Sequence, residues 1–166
     1  RSIKLHTVNL AFHNIPLWLL LCHCGDIITT MIDKQLIKQL YIALAKEPKI
    51  KLAYVLGSVV SGRARPDSDF DLAIVVDNKD QVRFENMYQL IGGLNFPKDL
   101  DLSIVDKNSS PLFLFQIIST GECIYQSPTE GKILFEAFVM KNYYDTAYMR
   151  KIYYSYLKDK FPYASR

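Results

Sequence analysis

Residues 53 to 77 constrain the fold of this chain more than any other stretch, because two apolar runs here flank a turn-rich loop. The first run, Ala53 to Leu56, ends in Gly57-Ser58, and the second spans Leu72 to Val76. Short apolar runs bounded by turn residues are typical of buried strands. The stretch therefore predicts two strands joined by a loop.

Two aspartates, Asp69 and Asp71, stand at the entrance of the second run. Side chains two residues apart on a strand point to the same face, so these carboxylates should lie side by side. At a surface-like dielectric two such charges repel each other by about 4 kcal/mol, which implies a bound cation. Carboxylate oxygens suit magnesium, which proteins commonly hold together with substrate phosphates. Because Gly57 lets the backbone approach a phosphate and Ser58 adds a hydroxyl, the pattern predicts a metal-dependent nucleotide site.

Two other phosphate-binding motifs do not fit. Gly57 and Gly62 have the spacing of a P-loop, but Arg63 and Ala64 replace the lysine and the hydroxyl residue that must follow. The sequence also contains no G-x-G-x-x-G, so a dinucleotide fingerprint is excluded. What remains is Gly-Ser, ten intervening residues, and Asp-x-Asp leading into an apolar strand.

Composition indicates one globular domain. The 166 residues are 49% hydrophobic and 22% charged, which suits a single packed core. The net charge of +3 is mild and the basic residues are scattered, so we expect no direct nucleic-acid binding. Three cysteines without framework spacing indicate a reducing compartment, and we expect a cytoplasmic protein.

Residues 1–30 differ from the rest and are predicted to be an extension outside the functional domain, which spans 31–166. The extension holds all three histidines, and its cluster Cys22-His23-Cys24 lacks the spaced pairs of a structural zinc site. The apolar run from Ile15 to Cys22 is broken by Pro16 and is too short to span a bilayer, so no membrane association is expected. No small-residue cleavage site follows this run, which argues against a signal peptide.

The remainder alternates strands with helices, which predicts an α/β (α+β) fold. Spacing leaves open whether neighbouring strands are parallel or mixed. Asp80 is a candidate cap for the second helix. We predict helices over 32–46, 81–91, 111–119 and 129–158, the last a long C-terminal helix capped by Ser127 or Thr129, and strands over 51–56, 70–76, 100–105 and 123–125.

A third acid belongs to the predicted strand 100–105. Asp99, Asp101 and Ser103 alternate with leucines, so they share one face. We favour Asp101 over Asp99 as the functional acid because it lies deeper in the apolar strand. Asp106, one residue beyond the strand, is predicted to face solvent.

The stretch GSVVSGRARPDSDFDLAIVV resembles the signature of the nucleotidyltransferase superfamily related to DNA polymerase beta. More narrowly, it is similar to the minimal nucleotidyltransferases that act as antitoxins to HEPN-domain toxins. The resemblance covers roughly residues 32–154 and includes Asp101 and the following SPLFLFQIISTGECIYQS. It implies the polymerase beta-like fold, with a mixed sheet flanked by helices.

The resemblance also implies functions for individual residues. Gly57 and Ser58 would bind the nucleotide phosphates, and Asp69, Asp71 and Asp101 would be catalytic and hold two Mg²⁺ ions. The implied reaction moves AMP from ATP to a tyrosine of the HEPN toxin, which silences its ribonuclease activity. The toxin would be both the substrate and the partner in a complex.

Elementary chemistry agrees with that assignment. Two ions about 3.5 to 4 Å apart would activate the attacking oxygen and neutralise the leaving one. Asp101, on a neighbouring strand, would accept the proton of the incoming hydroxyl, since residues 31–166 contain no histidine. Arg63 and Arg65 either bind the triphosphate, for which guanidinium groups are suited, or are solvated charges of the loop.

The C-terminal tyrosines allow two interpretations, packing within the domain or a surface for a partner. They are Tyr143, Tyr144, Tyr148, Tyr153, Tyr154 and Tyr156. Two other functions also stay open. One is nucleotide transfer to a small molecule such as an aminoglycoside, against which the short chain argues, and the other is an antitoxin that neutralises its partner by binding alone.

Overall fold

The structure is a computed structural model that describes residues 34–60, 69–97, 99–128 and 131–161. The predicted extension and the loop arginines Arg63 and Arg65 lie outside the described residues, as does Thr129. None of the helices in the described part combines the length and apolar character that a bilayer crossing requires.

The described chain contains four strands and six helices, two more helices than predicted, because Gly57–Val60 forms a short helix and the C-terminal helix is divided in two. The strands are β1 (Ile50–Val55), β2 (Phe70–Val76), β3 (Leu100–Val105) and β4 (Glu122–Gln126). The helices are α1 (Lys34–Leu44), α2 (Gly57–Val60), α3 (Phe84–Gly92), α4 (Pro111–Thr120), α5 (Lys132–Asp145) and α6 (Ala147–Lys160).

The strands form one mixed sheet in the order β3-β2-β1-β4. β1 pairs antiparallel with both β2 and β4, whereas β2 and β3 are parallel. Helix α3 lies in the crossover between the two parallel strands, which need a connection of this length. The mixed α/β architecture is confirmed.

Both faces of the sheet are covered, which explains why β2 is a continuous apolar run. Phe70, Leu72, Ile74 and Val76 pack with α1 and α3 on one face. Alternate residues of the same strand pack with α4 and α5 on the other face. The first residue of β2 on that second face is Asp71, so the strand starts with a carboxylate on the α4 side.

The C-terminal helical segment is divided at Thr146 into α5 and α6. The Thr146 hydroxyl donates to the carbonyl oxygens of Asn142 at 2.8 Å and Tyr143 at 3.2 Å. Hydrogen bonds of this kind compete with the helical ladder and bend helices. The segment is therefore helical as predicted, but it consists of two helices of 14 residues each.

The second helix begins later than predicted. A 3₁₀ turn occupies Lys79–Gln81, and α3 starts only at Phe84. The prediction that Asp80 caps this helix is wrong, because Asn78 caps the 3₁₀ turn by accepting a hydrogen bond from the Asp80 N–H at 2.9 Å.

Asp106 does not face solvent as predicted, since it is only 2% exposed. Its carboxylate accepts hydrogen bonds from the Lys79 N–H at 3.2 Å, the Asn108 N–H at 3.0 Å and the Ser109 hydroxyl at 3.0 Å. The carboxylate thus ties the loop after β3 to the turn after β2. This carboxylate can be buried because the loop and the turn together supply its hydrogen-bond donors.

Candidate active site

The parallel pairing of β2 and β3 brings the predicted acids together. Asp71 and Asp101 are directly paired across the two strands. Side chains at paired positions of neighbouring strands lie on the same face of the sheet. Asp69 immediately precedes β2, and its negative charge also acts on Asp71. All three aspartates are thus neighbours at the start of the parallel pair.

The electrostatics of Asp71 reflect this crowding. Burial, followed by the negative charges of Asp101 and Asp69, raises the pKa of the Asp71 carboxyl above its ordinary value. Each cause disfavours a third negative charge in the cluster. A cation would relieve the repulsion, so the charges of these residues fit a metal ion.

The donor set also fits magnesium. In the part of the chain that the structure describes, no three His, Cys, Asp or Glu side chains already surround a common point closely enough to hold a metal ion by themselves. Magnesium usually keeps several waters and takes only one or two carboxylates, the other ligands being substrate phosphates. Side chains of Asp69 and Asp101 that remain open to solvent suit an ion that arrives together with a nucleotide.

Gly57 closes the site from the side of β1. Its φ of +74° lies in the left-handed region, which glycine adopts at little cost. A Cβ at this position would overlap the Oδ2 atom of Asp71. The preceding residue, Leu56, donates its N–H to the Asp71 carbonyl at 2.9 Å. The backbone at Gly57 therefore lies directly against the central carboxylate.

These residues open into a pocket of about 430 Å³ between the sheet and α4. This volume lies within the range of small-molecule and cofactor sites. Its lining consists of Leu56, Gly57, Asp71, Leu72, Asp101, Ser103, Phe113, Gln116 and Thr120.

The structure separates the two candidate acids on the third strand. Asp101 lines the pocket and acts on Asp71, whereas Asp99 does neither. The carbonyl oxygen of Asp99 instead accepts a hydrogen bond from the Phe70 N–H at 2.8 Å, which joins the starts of β2 and β3.

Ser58 lies within α2, and its side chain is outside the described part.

Sequence reasoning missed the wall of the pocket that α4 provides. Phe113, Gln116 and Thr120 are three and four residues apart, which places them on one helix face. That spacing was visible in the sequence. However, α4 is apolar on nearly all sides, so periodicity alone did not indicate which face would meet the site.

Comparison with known families identifies one match. The sequence model described as "Polymerase beta, Nucleotidyltransferase" matches residues 38–130, which is more than half of the chain. The matched region includes β1 to β4 and all the aspartates described above. No curated protein matches the sequence significantly.

Comparison with solved structures identifies toxin–antitoxin complexes. A toxin–antitoxin complex with AMP-PNP matches at a TM-score of 0.56 and 18% identity, covering 73% of this chain and 97% of that chain. The MntA–HepT complex matches at a TM-score of 0.56 and 19% identity, covering 75% of this chain and 98% of that chain. A complex of a tri-AMPylated Shewanella oneidensis HEPN toxin with MNT antitoxin matches at a TM-score of 0.58 and 17% identity, covering 76% of this chain and 98% of that chain. At these identities the similarity is one of fold.

Proposed function

The chain belongs to the polymerase beta nucleotidyltransferase family, and on this basis we propose that it is a magnesium-dependent protein adenylyltransferase. It transfers AMP from ATP to a tyrosine of a HEPN ribonuclease toxin, and so acts as the antitoxin. The observation that carries the proposal is the shared face of Asp71 and Asp101 beside Gly57 in one pocket.

The nucleotide and the partner are supported by the proteins that share this fold. One of those complexes contains AMP-PNP, and another contains a HEPN toxin that carries three AMP groups. This chain covers nearly the full length of the matched chains, so it has the same core of elements. Such a protein would meet ATP and its toxin in the cytoplasm.

The three aspartates would hold the magnesium, with Asp69 from just before β2, Asp71 from β2 and Asp101 from β3. When bound, magnesium neutralises phosphate charge and lowers the cost of the displacement, for which two ions are proposed. Gly57 would let the triphosphate approach the backbone. Ser58 completes this phosphate subsite in the proposal, with Arg63 and Arg65 from the adjoining loop.

In the proposed reaction the tyrosine oxygen attacks the α-phosphorus of ATP. A bond forms between that oxygen and the phosphorus, the bond to the β-phosphate bridge oxygen breaks, and pyrophosphate leaves. The phenolic proton passes to Asp101, whose carboxylate is exposed on the pocket side. Asp101 is suited to this task because it lies on an outer strand of the sheet and its side chain is exposed.

The C-terminal helices offer a surface for such a partner. Within the described chain α6 has no buried residue, and Tyr148 is 72% exposed. Tyr143 is an exception among the tyrosines, because its ring stacks on Phe115 at 3.8 Å and lies under the guanidinium of Arg150. Exposed tyrosines are enriched at interfaces, so this surface also favours the second candidate, an antitoxin that neutralises by contact alone.

Labelling of a HEPN toxin tests the proposal. The purified chain, Mg²⁺ and ATP labelled at the α-phosphate should transfer label to a toxin tyrosine, with a mass increase of one AMP per modified site. The double variant Asp69→Asn/Asp71→Asn should lose at least about 100-fold in rate, equivalent to about 2.7 kcal/mol of barrier. Asp101→Asn should behave in the same way.

Asp99→Asn is the matched control, since it makes the same change two residues away, outside the pocket, and should retain labelling. Equal labelling by the double variant would contradict the catalytic assignment. If that variant still neutralised the toxin in cells, the binding-only function would be favoured.

A further inference from the structure

The pocket has two chemically different sides. One side contains Gly57, Asp71 and Asp101, where a metal ion and phosphates fit. The opposite side is uncharged and comes from α4, through Phe113, Gln116 and Thr120. A nucleoside triphosphate has the same division, because its phosphates are anionic whereas its base is flat and largely apolar.

Helix α4 is held firmly while it presents this face. Leu114 and Ile117, on its inner side, are 1% and 0% exposed and pack in the core. Beyond its last turn, Gly121 lies against the carbonyl of Val55 and the side chain of Leu56. The end of α4 is therefore fixed beside the strand that leads into Gly57, and the uncharged wall stands next to the phosphate side.

Two side chains of the wall remain available to a ligand. Gln116 is exposed, and its amide makes no hydrogen bond to the described residues, although its backbone carbonyl accepts from the Thr120 hydroxyl at 2.8 Å. Phe113 is half-buried, packs against the core and also lines the pocket. The hydroxyl of Thr120 is already a donor within the helix, so it contributes less to recognition.

We propose that Phe113 and Gln116 bind the base of the nucleotide and select adenine. The proposal rests on the proposed function, which assigns the triphosphate to the side of Gly57 and Asp71. Phe113 packs against the plane of the base, as aromatic side chains do in nucleic-acid complexes. The Gln116 amide pairs its acceptor and donor with the N6 amino group and N7 of adenine. Guanine presents two acceptors on that edge, so only one of the two hydrogen bonds could form.

Binding of three ligands to the full chain tests this assignment by isothermal titration with Mg²⁺. The ligands are ATP, GTP and inorganic tripolyphosphate, which has no base. The wild type should prefer ATP to GTP by about tenfold, which lies within the discrimination that a bidentate pair gives against the wrong base. Gln116→Ala should abolish that preference. Phe113→Leu should weaken both nucleotides by about tenfold. Neither variant should change the affinity for tripolyphosphate.

Two variants of the same helix serve as matched controls. Phe115→Leu makes the same aromatic-to-aliphatic change, but the Phe115 ring stacks on Tyr143 and does not line the pocket. Ser119→Ala truncates an exposed polar side chain of the same helix. Both should retain the wild-type preference for ATP, and thermal melting should show all four variants folded.

The outcomes separate this assignment from the proposed function. If the wild type binds both ATP and tripolyphosphate but Gln116→Ala and Phe113→Leu match the controls, the base assignment is overturned and the transferase proposal stands. If the wild type binds neither ligand, both proposals fail. Loss of tripolyphosphate affinity in Gln116→Ala or Phe113→Leu would also overturn the assignment, because it would place these residues on the phosphate side.

Discussion

Asp106 shows how much a single carboxylate can contribute away from the site. Burial opposes its ionisation, but hydrogen bonds from the Lys79 N–H, the Ser109 hydroxyl and the Asn108 N–H, together with the charge of Lys79, lower the pKa of its carboxyl below the ordinary value. The ionised form is therefore stabilised by folding. The stability that this carboxylate adds to the folded state is fully present when the pH is above the ordinary aspartate pKa. It is lost as the pH falls through the lower pKa of the folded state.

We expect Asp106→Ala to lower the free energy of unfolding by about 1–3 kcal/mol near pH 7, because two backbone N–H groups lose their acceptor. Urea titrations at several pH values should show this difference shrinking towards acid pH. Asp80→Ala, at an exposed aspartate of the neighbouring turn, should cost much less. An unchanged difference at acid pH would show that the charge of Asp106 is not what stabilises the loop.

Gly57 is a second residue with a specific structural role, because its position requires glycine. Its φ of +74° costs an L-residue about 1–2 kcal/mol, and a Cβ would also displace the Asp71 carboxylate. Gly57→Ala should therefore lower the melting temperature and weaken Mg–ATP binding by at least about tenfold, measured by titration. Gly93→Ala is the matched control, because no atom lies within 4 Å of its Cβ position. If Gly57→Ala bound Mg–ATP normally, the phosphate approach would not occur at this residue.

Among the elements, α4 determines the shape of the pocket, and its position depends on Gly121. The backbone there is ordinary, with φ at −88°, so glycine is needed for space and not for conformation. An added Cβ would overlap the Ile117 carbonyl and lie 2.5 Å from the Leu56 side chain. A backbone oxygen cannot move aside as a flexible side chain can, so the last turn of α4 would have to shift.

Gly121→Ala should accordingly cost about 1–3 kcal/mol of stability, as over-packing of a core does. Because α4 carries the uncharged wall, affinity for ATP should fall more than affinity for tripolyphosphate. Denaturant unfolding and ligand titration measure the two effects. Stability within 0.5 kcal/mol of wild type, the value expected of an ordinary surface change, would mean that α4 tolerates the extra methyl group.

At the scale of the whole molecule, the sheet has one layer of helices on each face, and α6 extends from α5 with its residues exposed. Met149, Ile152, Tyr153 and Tyr156 follow the spacing of anchors that a helix inserts into a partner's groove. All four are 47% exposed or more. Since burial in the domain does not require these side chains, binding to another protein is the simplest use for them.

Ile152→Gln should weaken the proposed complex with a HEPN toxin by about tenfold while changing the melting temperature by no more than about 2 °C. Ile42→Gln is the matched control, because Ile42 has the same exposed fraction of 47% as Ile152. Ile42 lies on α1, which packs on the face of the sheet opposite to α4 and α5. Surface plasmon resonance with immobilised toxin would compare the two variants. Equal affinity for both would exclude α6 from the interface.

Local patterns predicted most of the elements. The bounds of β2 and β3 were predicted correctly at 70–76 and 100–105. β2 is mostly a short apolar run, β3 alternates polar and apolar residues, and polar turn residues follow each strand. Helix bounds were less accurate at Asn78 and Thr146. There a side chain bonds to a backbone group, an interaction that hydrophobic spacing does not reveal.

The sequence by itself predicted that Asp69 and Asp71 share a face, from alternation along a strand, and it contains a glycine at position 57 before them. Only the tertiary structure decided that Asp101 joins them, because that depends on β2 and β3 pairing in parallel with Asp71 opposite Asp101. The tertiary structure also decided that Asp106 is buried and that α4 forms one wall of the pocket. Each arises from contacts between segments far apart in the chain, and such contacts leave no periodic pattern in the sequence.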